Sequence, residues 1–357
     1  MGFIQSIGGC QLKSKWKGAL KYSLACLSLA GLLSLSESAF AACKLVQLGE
    51  LPVKVEDNRI LVGGSVDGKP VRMMVDTGSG DNMIYRDAAR RLGLPLLPLR
   101  GVTMYGVGGE VRLRTTQVKT LTLGNLVSHN EVMLVGGDDP DGDPAIIGML
   151  GERFFSQADI EFDLAGGVIR FLKPQGCTDA QMAYWATTSY SQVAIDGTNN
   201  AGASIDSVAK LNGLPIAVTF DTGSTNSVVT LTAAQAVGVR PGGEGVTRVG
   251  RIYGAGPKSL PVWIGTFKTF SLGDETIGNA KLRISDLFAF NKEVSAVSVV
   301  PVEVGSQTKM FIGLDFFKSH RVLISQSRRK MYFTYAGGPV FDTRADGDVP
   351  DPPAPPR

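Results

Sequence analysis

Two aspartates, Asp76 and Asp221, each open the run Asp-Thr-Gly-Ser, and each closes a short apolar run, Met73-Met74-Val75 in one case and Val218-Thr219-Phe220 in the other. An ionised carboxylate at the end of an apolar strand is costly unless something needs it there. The glycine two residues on lets the backbone turn sharply, which leaves the carboxylate at the floor of a cleft. The intervening Thr77 or Thr222 can then hydrogen-bond across to the other copy and stiffen the pair. Two carboxylates held face to face resist joint ionisation, so they share a proton and separate into one base and one acid. Such a pair can activate a water, protonate a carbonyl oxygen and let an amide collapse from a tetrahedral intermediate, with no covalent adduct, metal or cofactor. The only histidines, His129 and His320, are too few and too scattered for a His-based metal site, and no Gly-x-Ser-x-Gly elbow stands beside a histidine.

The elements that must position these residues occur twice. Asp67-Gly68-Lys69-Pro70 precedes the first aspartate as Asn212-Gly213-Leu214-Pro215 precedes the second, at the offset of 145 that also separates the aspartates. The same offset lays Ala88 to Leu94 over Ala233 to Val239 without a gap. Tyr105-Gly106-Val107-Gly108-Gly109 answers Tyr253-Gly254-Ala255-Gly256 at an offset of 148. Ile146-Ile147-Gly148 is paired with Phe311-Ile312-Gly313, each followed by a Phe-Phe pair. A period this long marks duplicated structural units. Each copy reads as a strand, a Gly-Pro hairpin turn, a strand running into the aspartate, and one short helix ended by Gly93 or Gly238. The rest is strand and turn, as 44 glycines among short apolar runs suggest.

The paired Asp-Thr-Gly-Ser runs resemble the active-site signature of the pepsin and retropepsin superfamily of aspartic peptidases, and the resemblance covers nearly all of residues 50–335. It implies an all-β fold of two retropepsin-like barrel domains about a pseudo-twofold axis, with Asp76 and Asp221 catalytic and Thr77, Gly78, Ser79, Thr222, Gly223 and Ser224 supporting them. It further implies that the Gly-rich hairpins are flaps, with Tyr105, Gly106, Gly108, Tyr253, Gly254 and Gly256 as candidate flap residues. The two hydrophobic-hydrophobic-Gly elements then pack beneath the aspartate loops. The copies are shorter than pepsin-like lobes and longer than a retroviral subunit, which suggests a fused dimer and a monomer in solution. The implied activity is an endopeptidase on peptide or unfolded protein; the alternative is a non-catalytic binding module that keeps the cleft.

Lys13, Lys15, Lys17 and Lys21 precede an apolar run from Tyr22 to Leu35 and the triplet Ala39-Phe40-Ala41, the pattern of a secretory leader. The run is short for a membrane span, so the mature chain is expected to start at Ala42 with no span, in the periplasm or outside the cell. Losing four lysines and Glu37 takes the 36 basic and 33 acidic residues to 32 of each, and a neutral chain gives no electrostatic case for nucleic acid. Cys43 and Cys177 remain, and an even pair in an exported chain reads as a disulfide; a lipid anchor on Cys43 is the competing reading. The expected layout is a signal peptide at 1–41, domains at 42–177 and 193–335, a polar linker at 178–192 and a disordered Pro-rich tail at 336–357. Asp138, Asp139, Asp141 and Asp143 have the acids of a calcium loop without its later Glu and read as a solvated loop. Arg328-Arg329-Lys330 reads as a hairpin turn. No metal or cofactor is expected.

Overall fold

The computed structural model describes residues 42–139, 142–196, 204–290 and 308–343. The expected leader and the residues after 343 lie outside them. Strands make up 54% of the structure. In the first lobe they are β1 (Lys44–Glu56), β2 (Arg59–Val66), β3 (Lys69–Val75), β4 (Met83–Ile84), β5 (Leu97–Gly106), β6 (Gly109–Leu123), β7 (Leu126–Val135), β8 (Ile146–Leu150), β9 (Asp159–Asp163) and β10 (Val168–Gln175). Helix α1 (Arg86–Leu92) follows β4, α2 (Glu152–Phe155) follows β8, and α3 (Asp179–Met182) lies between the lobes. The second lobe has β11 (Ser191–Ala194), β12 (Ile205–Leu211), β13 (Leu214–Phe220), β14 (Val228–Thr230), helix α4 (Leu231–Ala236), β15 (Thr247–Tyr253), β16 (Ser259–Leu272), β17 (Glu275–Ser285) and β18 (Met310–Ile312). Helix α5 (Leu314–Ser319), β19 (His320–Ser325) and β20 (Lys330–Tyr335) complete it.

The duplication in sequence is a duplication in topology. Strand order β2-β3-β8-β4-β7-β6 closes on itself through a β2–β6 pairing, and β12-β13-β18-β14-β17-β16 closes through β12–β16. Each lobe is therefore a six-stranded barrel, which removes the exposed sheet edges that an open sheet would leave. The closures start from equivalent turns. Asp67 and Gly68 at φ 50 and 80, and Asn212 and Gly213 at φ 49 and 83, make the tight left-handed hairpin turns that Asx-Gly favours. The Asp67 and Asn212 side chains then accept the N–H of Thr120 and Thr269, pinning each hairpin to the strand that closes its barrel. Strands β3 and β13 have the same burial pattern, exposed at the start and fully buried over their last three residues, so each delivers its aspartate from the core.

The lobes share one sheet and one hydrophobic core. Strands β11-β20-β19-β9-β10-β1 run side by side, and β9 meets β19 antiparallel with Glu161 opposite Leu323. On the inner face Phe162 of the first lobe packs edge-on against Phe317 of the second, 5.1 Å between ring centres. The outer face is covered by the segment expected as a polar linker. Met182 and Ala183 there are buried, Trp185 donates to Thr334 at 2.8 Å, and Arg321 lies 4.9 Å over the Trp185 ring. This strap begins at a disulfide between Cys43 and Cys177.

Three expectations need correction. A second short helix, α2 or α5, follows α1 or α4 in each lobe, and packs Phe155, Phe316 and Phe317 into the core from a helical turn, with Phe154 half-buried. The tail begins later than residue 336, since Val340 and Phe341 pack against the core. The acidic loop is not simply solvated: Asp138 pairs with Arg86, Asp139 with the buried Arg59 and Asp143 with Arg72; Asp141 lies outside the described residues. The Arg328-Arg329-Lys330 run does form the turn into β20, where Arg328 and Lys330 hold Asp179. Among the described residues no helix is long and apolar enough to cross a membrane.

Candidate active site

The two Asp-Thr-Gly-Ser loops meet at the pseudo-twofold axis, and their contacts are reciprocal. The Thr77 hydroxyl donates to the Phe220 carbonyl at 2.9 Å and accepts the Thr222 N–H at 3.1 Å. The Thr222 hydroxyl donates to the Val75 carbonyl at 2.9 Å and accepts the Thr77 N–H at 3.1 Å. Both threonines are buried, so these four bonds run where water does not compete. Both glycines are needed for a reason other than the turn, since neither has a positive φ. A Cβ on Gly78 would sit 2.3 Å from the Asp221 carboxyl carbon, and one on Gly223 would sit 2.4 Å from that of Asp76. The absent side chains make room for the opposite lobe's carboxylate, which brings both acids into one site.

Within each loop the aspartate's Oδ1 accepts two backbone N–H groups, from Gly78 and Ser79 at 3.0 and 3.1 Å and from Gly223 and Ser224 at 2.9 and 3.2 Å. The serine hydroxyls do not bond the carboxylates; they donate to the carbonyls of Asp81 and Asn226, closing their own loops. Burial raises the Asp76 carboxyl well above the usual range, and the charge of Asp221 and a hydrogen bond to it raise it further. Burial also raises Asp221, while the hydrogen bond with Asp76 and the backbone donors oppose that rise. Two buried carboxyl groups this close resist joint ionisation, so the pair as a unit holds a proton more tightly than a free carboxyl does.

The Gly-rich hairpins of the two lobes touch at their tips. The Gly108 N–H donates to Ala255 O at 2.8 Å, and the Lys258 N–H to Gly108 O at 2.9 Å. Gly108 has room only as glycine, since a Cβ would stand 2.5 Å from the Gly256 carbonyl oxygen. A Cβ on Gly106 would stand 2.4 Å from the Ala255 carbonyl oxygen, and one on Gly254 2.9 Å from Val107 Cβ. Tyr105 is half-buried and Tyr253 is 58% exposed; the close contacts at the tips are made by the hairpin backbone at Gly108, Ala255 and Gly256.

Residues 62–152 and 208–316, more than half of the chain, match the family of aspartyl proteases. The chain belongs to that family. The two matched stretches fall one in each lobe. The crystal structure of an aspartic proteinase from Irpex lacteus is similar over 80% of this chain and 97% of that one, at 13% identity and a TM-score of 0.45. No curated protein matches the sequence.

The glycine-bearing element beneath each aspartyl protease loop corrects one sequence pairing. Asp76 N–H donates to Leu150 O and Asp221 N–H to Ile312 O, while Glu152 N–H and Leu314 N–H donate to Ser79 O and Ser224 O. The counterpart of Phe311-Ile312-Gly313 is therefore Met149-Leu150-Gly151, three residues later than Ile146-Ile147-Gly148. An irregularity in the pairing of β3 with β8 displaces the register, and Gly148 sits in it, where a Cβ would lie 1.9 Å from Met83 O. The Phe-Phe pairs carried the signal that finds the true register, being separated by 162 residues, as are Gly151 and Gly313.

Sequence reasoning missed the braces behind the loops. Gly151 N–H donates to Asn82 Oδ1 and Gly313 N–H to Ser227 Oγ. Asn82 and Ser227 share the offset of 145, the one signal that marks them. Asp315, buried in the second lobe, accepts from the Ser227 hydroxyl at 2.6 Å and from the N–H groups of Ser227, Phe316 and Asp342.

Proposed function

We propose that this chain is an exported aspartic endopeptidase in which Asp76 and Asp221 form a single dyad between fused lobes. The observation that carries the reading is the reciprocal packing of each carboxylate against the other lobe's glycine, with the shared proton it implies. In this reading Asp221 takes a proton from a water lying between the acids as the water oxygen attacks the scissile carbonyl carbon. Asp76 gives its proton to the carbonyl oxygen, and a tetrahedral diol results. Asp221 then gives its proton to the amide nitrogen as the C–N bond breaks, one diol hydroxyl returns its proton to Asp76, and amine and carboxylic acid leave with the starting protonation restored. The tip-to-tip hairpins part to admit an extended peptide, whose main chain they cover on closing. The leader pattern and the Cys43–Cys177 bond support export, because disulfides persist in oxidising compartments.

The test is cleavage of an unstructured peptide library by the chain from Ala42, between about pH 3 and about pH 8, beside Asp76→Asn and Asp221→Asn. Each single variant is expected to lose at least ~10²-fold in kcat/KM while staying folded and monomeric, since general acid–base catalysis needs both partners. Retained activity in either variant would sink the shared dyad. Internal cleavage, as against trimming from an end, is read from the product masses. Amino-terminal sequencing of the protein from the periplasm or medium checks export, with Ala42 as the expected first residue.

A further inference from the structure

Glu152 is an acid in a place built for a hydrocarbon. It is 4% exposed, and its Oε2 finds no hydrogen-bond partner. As the first residue of α2 it lies directly behind the Asp76 loop, its N–H on Ser79 O at 2.7 Å. Its Oε1 accepts from the Gln326 amide at 2.8 Å, in the turn between β19 and β20 of the opposite lobe. The equivalent residue of the second lobe is Leu314, fully buried, with its N–H on Ser224 O. At one of two matched positions the chain thus keeps an acid, and that acid is the one facing across the lobe junction.

Among the described residues no cation pairs with it. On its own helix Arg153 pairs with Asp81. On β9, Asp159 accepts the Ser325 and Ser327 hydroxyls; on the opposing turn, Arg328 pairs with Asp179 and Arg329 with Asp196. In the adjacent loop Asp76 faces Asp221. Burial alone raises the Glu152 carboxyl, to about 7.

We propose that protonated Glu152 is a positioning residue that latches the β19–β20 turn onto the back of the Asp76 loop, and that its ionisation loosens the junction as the solution becomes alkaline. The sign follows from linkage. Below 4.5, the ordinary value, the acid is protonated both folded and unfolded, and its contribution is fully present. Between there and about 7 the folded chain retains a proton that the unfolded chain has lost, so stability falls through that window and is lowest above it.

The experiment is thermal unfolding from about pH 5 to about pH 9 in an Asp76→Asn/Asp221→Asn background, which removes the dyad's own titration, with Glu152→Gln and Glu152→Leu compared against Glu152. Asp315, raised to about 6 by burial, titrates alike in all three and drops out of the difference. The Glu152 protein is expected to lose about 5 °C more than either variant across this range, with the difference curve bending near 7. Parallel curves would overturn the proposal. Should both variants fail to fold, glutamate-selective 13C NMR of the unmutated chain decides the matter: one side-chain carboxyl titrating near 7 is expected, and none doing so overturns it. Both readouts are independent of turnover, so they stand or fall apart from the proposed activity.

Discussion

The two lobes agree at the axis and diverge one layer behind it. Asp, Thr and Gly make the same contacts in both, within 0.1 Å for the threonine bonds. Behind them, the second lobe braces its loop with a buried carboxylate, Asp315, that gathers donors from three parts of the chain. The first lobe uses the amide of Asn82 and, at the position matching Asp315, Arg153, whose bond to Asp81 is exposed at 70% and 45% of the two side chains. Groups that must meet their own copies are constrained by the twofold, because a change in one lobe has to fit the unchanged other. Groups that touch only their own lobe are free to find separate solutions with the same effect on the backbone.

Perturbations of that asymmetry rank by burial. The largest expected effect is loss of the disulfide, a device of the first lobe alone: Cys43→Ser/Cys177→Ser removes a link across 134 residues and should cost about 5 kcal/mol in a denaturant titration on the chain-entropy estimate. A cost below about 1 kcal/mol would show that the strap is held by Met182 and Trp185 instead. Next, Asp315→Ala leaves several buried donors unpaired and is expected to cost about 3 kcal/mol, against about 1 kcal/mol for Asn82→Ala. Equal losses would erase the contrast between braces. That gap should narrow as pH rises: burial raises Asp315 to about 6, so its contribution is whole below its ordinary value of 3.8 and declines as pH climbs through 6. The smallest effect belongs to Arg153→Ala, where an exposed ion pair is worth less than about 1 kcal/mol and its loss should be masked by salt.

Much of the site was legible because its parts are short-range. Asp-Thr-Gly-Ser is contiguous, the Asx-Gly turns set their own φ angles, and an unbroken offset carried the duplication as far as Gly93 and Gly238. Legibility failed where pairing partners lie far apart in sequence. A strand irregularity moved the glycine element by three residues, and periodicity gives no warning of one. The loop at 137–143 looked solvated because the arginines that bind it, Arg59, Arg72 and Arg86, come from other strands and a helix. The linker looked polar because its few apolar residues are spaced to meet a sheet made by both lobes.

The sequence by itself determined that there are two equivalent strand-rich units, that each presents one aspartate from an apolar strand, and that each makes its hairpin turn at an Asx-Gly pair. These are consequences of local propensity and of a repeat, which any copy of the chain carries within itself. Only the tertiary structure decided that Gly78 and Gly223 are glycines for the sake of the other lobe's carboxylate, that the hairpins meet tip to tip, and that an acid at 152 lies buried against the opposing turn. Those facts depend on which surfaces meet across the axis, and such long-range contacts, with the desolvation they impose on Asp76, Asp221 and Glu152, exist only once the chain has closed on itself.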